Sequence, residues 1–194
     1  MIYDDIQAVQ TWPGFKQYFA DALTLEAVIL EAGDGDYLEI GVRKGGSAIF
    51  VGLIKRLAKQ SGNIYGIDLM APDMARKGVS PEVVARNAAA FGVSVNLVVA
   101  NSNPWPLPED IRPVVALIDG DHHYEPCLAD WNNLRPRTKR FVLFHDCNNK
   151  DVGRVVDIAK CDPEWRLVGT DHKVDGSARH THGRMAVFER CESS

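Results

Sequence analysis

The sequence predicts an α/β fold built on one doubly wound, mostly parallel sheet, and three observations carry that prediction. Short apolar runs alternate with segments of helical periodicity. The runs at 114–118 and 141–144 are almost wholly apolar, as strands covered on both faces are. Five runs end in polar or ionisable residues, where open α/β sheets place their ligands.

The elements follow in order. From Gly14 to Glu31, apolar residues at Phe15, Tyr18, Phe19, Ala22 and Leu23 mark an amphipathic helix that "AGDGD" ends. "YLEIG" reads as the first strand. "SAIFVGLIKRLAKQSG" repeats the helical spacing, with Ser47 a candidate N-cap and Gly62 just past the end. "NIYGID" is the second strand. In "SPEVVARNAAAFG", Ser80 can cap, Pro81 fits a first helical position and Glu82 suits the first turn. "VNLVVA" is a third strand, and the proline-rich "NSNPWPLPEDIRP" is a loop. "VVALID" is a fourth strand, "EPCLADWNNL" a helix and "RFVLFHD" a fifth strand. Val152, Val155, Val156 and Ala159 mark the next helix. "WRLVGT" and "RMAVFER" are joined by a polar stretch and not by a helix, so they are expected to close the sheet as an antiparallel pair. The whole reads as a single domain over 1–194, with an N-terminal helical segment (1–35) and a Rossmann-like core (36–194).

Bulk composition narrows the function. A composition 45% hydrophobic and 25% charged is ordinary for a globular protein, and a net charge of -4 argues against nucleic-acid or anionic-membrane binding. A small-molecule partner is expected. Cys127, Cys147, Cys161 and Cys191 show no CxxC spacing, no charged-then-apolar leader stands at the N-terminus, and no apolar run approaches the roughly 20 residues of a membrane helix. Reduced thiols and a cytoplasmic location are expected.

The strand ends supply the chemistry. "EIGVRKGGS" places Gly41, Gly45 and Gly46 between a strand and a helix, where the backbone can turn tightly and offer helix N–H groups to a ligand. Its G-x-x-x-G-G spacing departs from the dinucleotide fingerprint. Asp68, 27 positions after Gly41, stands where a carboxylate commonly accepts ribose hydroxyls. Together, turn and acid favour an adenosine-containing cofactor. The fourth and fifth strands are expected to be parallel neighbours, so Asp119 and Asp146 would face each other. Either one carboxyl then titrates high, or a divalent cation binds between them. His122, three residues past Asp119, suits a general base near neutrality. Asp121, His123 and Tyr124 read as loop. His172, His180 and His182 read as an exposed polar loop, and Trp105 either covers a cofactor or packs against the sheet edge.

Through "YLEIGVRKGGSA", "IYGID" and "IDGDHHYE...HD", the chain from about Asp36 to Asp146 resembles class I S-adenosylmethionine-dependent methyltransferases. It is most similar to the branch of macrocin- and mycinamicin-type sugar O-methyltransferases and cephalosporin-hydroxylase-like proteins. The resemblance implies that Glu39, Gly41, Gly45 and Ser47 contact the methionine part of S-adenosylmethionine, Asp68 the ribose, and Ser102 the adenine side. It also implies that Asp119 serves both cofactor and catalysis, that Asp119 and Asp146 hold a divalent cation such as Mg²⁺, and that His122 is the base. One residue departs from the pattern. Relatives carry Asp or Asn after the second metal acid, where this chain has Cys147, a poor ligand for Mg²⁺. Asn148 or water would then complete the site, or the metal has been lost. A nicotinamide-dependent oxidoreductase and a non-catalytic partner subunit are the competing readings. A homo-oligomer through the N-terminal helix is a further expectation.

Overall fold

A computed structural model describes residues 19–71, 78–170 and 184–191. Its elements run α1 (Phe19–Ala32), β1 (Tyr37–Ile40), α2 (Gly46–Leu57), β2 (Ile64–Asp68), α3 (Pro81–Ala90), β3 (Asn96–Val99), β4 (Val115–Ile118), α4 (Tyr124–Leu134), β5 (Phe141–Phe144), α5 (Lys150–Ala159), β6 (Trp165–Thr170) and β7 (Ala186–Arg190). The strands form one seven-stranded sheet in the order β3-β2-β1-β4-β5-β7-β6. Strands β1 to β5 are mutually parallel, and β7 runs antiparallel to both β5 and β6. The mostly parallel sheet with an antiparallel C-terminal pair is the architecture expected from the sequence.

Strand alternation explains why β4 and β5 are apolar throughout. Val115 and Leu117 join one core with Phe141 and Leu143, packed under α1 and α2. Ala116 and Ile118 join a second core with Val142 and Phe144, packed under α4 and α5. Trp131 of α4 anchors the second face, with its ring centroid 5.6 Å from Phe144 and 5.7 Å from Trp165. Val152, Val155, Val156 and Ala159 of α5 are buried there, as their spacing predicts.

The structure corrects two local expectations and decides a third that was open. In α1 the buried face is Asp21, Ala22, Leu25, Val28 and Ile29, and Leu23 is exposed. Two apolar stripes are available in this hydrophobic helix, and packing on the sheet selects the second. Phe15 and Tyr18 lie outside the described residues, as do His172, His180 and His182. Ser47 is not the N-cap of α2; Gly45 is, in a left-handed conformation (φ 85°) and with no side-chain cap. Trp105 packs against the second core beneath the Arg137 guanidinium, 4.8 Å from its ring, and does not face the cleft. By contrast Ser80 caps α3 as predicted, accepting from the Val83 N–H. Among the described residues, no helix is long and apolar enough to cross a membrane.

Candidate active site

Strand order reverses between β1 and β4, and a cleft of about 650 Å³ opens at the carboxyl ends of the strands there. That is the position and size expected of a small-molecule site in an open α/β sheet. Gly41 holds the junction. A Cβ on it would lie 2.0 Å from the Asp119 carbonyl oxygen, and its φ of 95° is one that side chains rarely adopt. The turn then enters α2, whose uncapped first residues, Gly46 and Ser47, line the cleft. Asp68 closes the turn, accepting from the Arg43 N–H at 2.7 Å and the Met70 N–H at 2.8 Å. Each carboxylate oxygen retains a second lone pair for a ligand.

Of the residues assigned to a cofactor, Gly41, Ser47, Asp68, Ser102 and Asp119 line the cleft, and Glu39 and Gly45 do not. Gly45 serves the turn. Glu39 is fully buried behind Ser47, accepting hydrogen bonds from the Ser47 and Tyr37 hydroxyls, both at 2.9 Å. Burial, only partly offset by those two bonds and reinforced by the nearby Asp119 and Asp68 charges, pushes it up to about 8, so it is a neutral carboxyl at pH 7. Ser102 donates to Asp130 of α4 at 2.5 Å, and Asn133 donates to the Ser102 carbonyl. Burial raises Asp130 to about 6, against the opposing Ser102 bond.

The acids at the ends of β4 and β5 converge on imidazoles. His145 Nδ1 lies 3.1 Å from Asp119 Oδ1 and 3.4 Å from Asp146 Oδ2. His122 Nε2 lies 3.5 Å from Asp119 Oδ1 and 3.7 Å from Asp146 Oδ2. Arg184, just before β7, reaches Asp146 Oδ1 with Nη2 at 2.8 Å. Asp121 and His123 pair with each other in solvent, as loop residues, and Tyr124 stacks under Arg154.

Between the two alternatives left open by the sequence, neither carboxyl titrates high. Burial would raise Asp119, but His122 and His145 outweigh it and hold it below the usual range. His145 likewise lowers Asp146, against burial and with help from Arg184 and His122. Burial disfavours charge on His145, yet its contacts with Asp119, Asp146 and Asp21 prevail and push it up to about 12. His122 is raised chiefly by Asp119. The His145 and Arg184 cations thus offset the pair of acids.

The same groups fit a divalent cation. Asp119, His145 and Asp146 each offer one ligand atom, all within 4.8 Å of one another. Among the described residues the buried His145 Nδ1 makes no aligned hydrogen bond, although both carboxylates are close. A donor set with an imidazole suits Mn²⁺, Co²⁺ or Zn²⁺ better than Mg²⁺, which favours oxygen ligands. Cys147 takes no part: it is buried, with its Sγ donating to the Phe144 carbonyl. The third candidate ligand, His145, thus precedes Asp146.

His145 is legible from the sequence only as a polar residue at the end of the fifth strand, without a role, and Asp21, Arg184 and Asp130 carry no signal there. Neighbouring strand residues point to opposite faces, so "HD" offers at most one side chain to a site in regular geometry. Asp146 escapes this with a φ of 51°, which turns both residues of the pair inward. Asp is among the residue types that tolerate this conformation, a faint signal.

The sheet order, the glycine turn and the acids beyond β4 and β5 define a class I S-adenosylmethionine-dependent methyltransferase fold. Residues 38–147 match the family model described as a methyltransferase domain, and the chain belongs to that family. Solved structures share the fold at low identity. An O-methyltransferase from Bacillus cereus in complex with S-adenosylhomocysteine is 11% identical, with a TM-score of 0.66 over 98% of this chain and 90% of that one. An S-adenosylhomocysteine-bound methyltransferase from Podospora anserina is 11% identical, with a TM-score of 0.68 over 98% and 88%. A TDP-rhamnose 3'-O-methyltransferase of calicheamicin biosynthesis is 15% identical, with a TM-score of 0.57 over 97% and 92%. No curated protein sequence matches at a significant level.

Proposed function

We propose that the protein transfers the methyl group of S-adenosylmethionine to a hydroxyl of a small molecule, a sugar or sugar-bearing natural product. The observation that carries this reading is the convergence of Asp119, Asp146, His145 and His122 beside the glycine turn in one cleft. The turn and the start of α2 receive the methionine end of the donor, Asp68 the ribose, and Ser102, held by Asp130, the adenine side. The sugar class rests on the branch resemblance and on the rhamnose O-methyltransferase among the structural relatives.

Methyl transfer from a sulfonium is an in-line displacement. The acceptor oxygen forms a bond to the methyl carbon as the carbon–sulfur bond breaks, and the hydroxyl proton must leave. Alignment supplies much of the rate. Asp119 and Asp146 orient the acceptor hydroxyl, and His122, half-exposed at the cleft rim, takes its proton. Asp119, His145 and Asp146 would hold a divalent cation, which when bound lowers the pKa of a coordinated hydroxyl.

Calorimetry with S-adenosylhomocysteine and with NAD⁺, followed by a methyl-release assay on sugar acceptors, tests the reading. Binding of the former alone is expected. His122→Ala should lower turnover by about 10²-fold or more while leaving S-adenosylhomocysteine affinity unchanged; an unchanged rate sinks the base assignment.

A further inference from the structure

Asp21 is a carboxylate with no exposed surface, set on the buried face of α1 among Ala22, Leu25, Val28 and Ile29. An isolated carboxylate there would be strongly destabilising, so its partners define its purpose. Its Oδ2 lies 3.1 Å from His145 Nε2, across 124 positions of sequence, and 3.4 Å from Arg184 Nε. The other arm of Arg184 reaches Asp146. Asp21 does not line the cleft, yet it touches one residue of the Asp119–His145–Asp146 group and, through Arg184, a second.

We propose that Asp21 is a positioning residue for the cation site: by accepting the His145 Nε2–H it fixes the tautomer and ring orientation that aim Nδ1 at Asp119 and Asp146. A carboxylate oxygen can only accept, so the nitrogen facing it keeps its proton. Without a cation Nδ1 is protonated too, facing Asp119 and Asp146; a cation would displace that proton and leave the one held by Asp21, so Nδ1 is the atom free to ligate. Metal-binding histidines generally donate their second ring N–H to such an outer acceptor, which holds the ring and strengthens it as a ligand. Here the acceptor comes from the N-terminal helix, and that ties the placement of α1 to the chemistry at the ends of β4 and β5. Arg184 Nε lies near the same Asp21 oxygen, and its Nη2 pairs with Asp146.

The inference rests on the cation reading of the proposed function, and the experiment separates the two. Mn²⁺ is titrated into full-length wild type and Asp21→Asn and followed by electron paramagnetic resonance, with S-adenosylhomocysteine affinity measured in parallel. The amide keeps the shape of the carboxylate but loses its charge and one acceptor. Wild type is expected to bind one Mn²⁺ per chain and the variant to bind it about 10 to 100-fold more weakly, with S-adenosylhomocysteine affinity unchanged. A merely structural Asp21 would lower the melting temperature and leave Mn²⁺ affinity of the folded protein alone. Equal affinities overturn the inference; a wild type that takes no Mn²⁺ overturns the cation reading and the inference with it. ¹⁵N NMR of zinc-loaded wild type gives an answer even where the variant does not fold. Metal on Nδ1 with a proton on Nε2 supports the assignment, and metal on Nε2 refutes it.

Discussion

Replacing Glu39 by Gln separates a buried neutral carboxyl from a charged cofactor ligand. Glu39 is fully buried, receives hydrogen bonds from Tyr37 and Ser47, and titrates near 8 against 4.5 for an ordinary glutamate. Between those values the folded chain binds this proton and the unfolded chain does not, so Glu39 makes stability fall as pH rises from about 4.5 to about 8 and stay level above. At about 1.4 kcal/mol per pH unit, the whole effect is about 5 kcal/mol. Gln matches the size of the neutral acid and cannot ionise, and the hydroxyl facing its amide nitrogen turns to accept. Subtracting the wild-type stability from that of Glu39→Gln removes the contribution of every other titrating group. Urea denaturation of both proteins from pH 5 to 9 should show the variant gaining stability relative to wild type, in a slope that ends near pH 8. S-adenosylhomocysteine affinity should not change, because no charge is lost from the cleft at pH 7. A stability difference that is flat in pH, or one that turns against the variant at high pH, would refute the neutral-carboxyl argument. A large loss of affinity would restore Glu39 as a direct ligand.

Two further substitutions test the turn and the odd cysteine. Gly41→Ala should cost upwards of about 3 kcal/mol in urea or thermal denaturation, since its Cβ would meet the Asp119 carbonyl at 2.0 Å; Gly33→Ala, also left-handed but with nothing within 4 Å, should cost only about 1 to 2 kcal/mol. Equal costs would mean that β1 and β4 can part without loss. Cys147→Ala should lower stability by about 1 to 2 kcal/mol through lost packing and leave Mn²⁺ stoichiometry intact; loss of the ion would return Cys147 to the site.

Local pattern was sufficient for most elements because each depends on near neighbours. Ser80 with Pro81 starts α3, and the apolar spacing of Val152, Val155, Val156 and Ala159 is the buried face of α5. The near-continuous apolar runs at β4 and β5 announce a sheet covered on both faces, and that fixes where polar strand ends must gather. Asp119, Asp146 and His122 were legible in this way, as positions at the carboxyl ends of two neighbouring strands. The face of α1 was not legible, because a helix apolar on several sides is oriented only by what it packs against.

By itself, then, the sequence determined the strand and helix order, the glycine turn and the gathering of two acids at neighbouring strand ends, although the register sets His145 and not Asp146 opposite Asp119. The tertiary structure decided what those acids meet. Asp21 reaches His145 from 124 residues away, Arg184 arrives from the last strand pair, and the strand register with a left-handed Asp146 sets His145 and Asp146 side by side near Asp119 while Cys147 stays buried against Phe144. The reason is physical: periodicity reports which face of an element is apolar, whereas the partner of a buried charge is set by contacts between elements far apart in the chain.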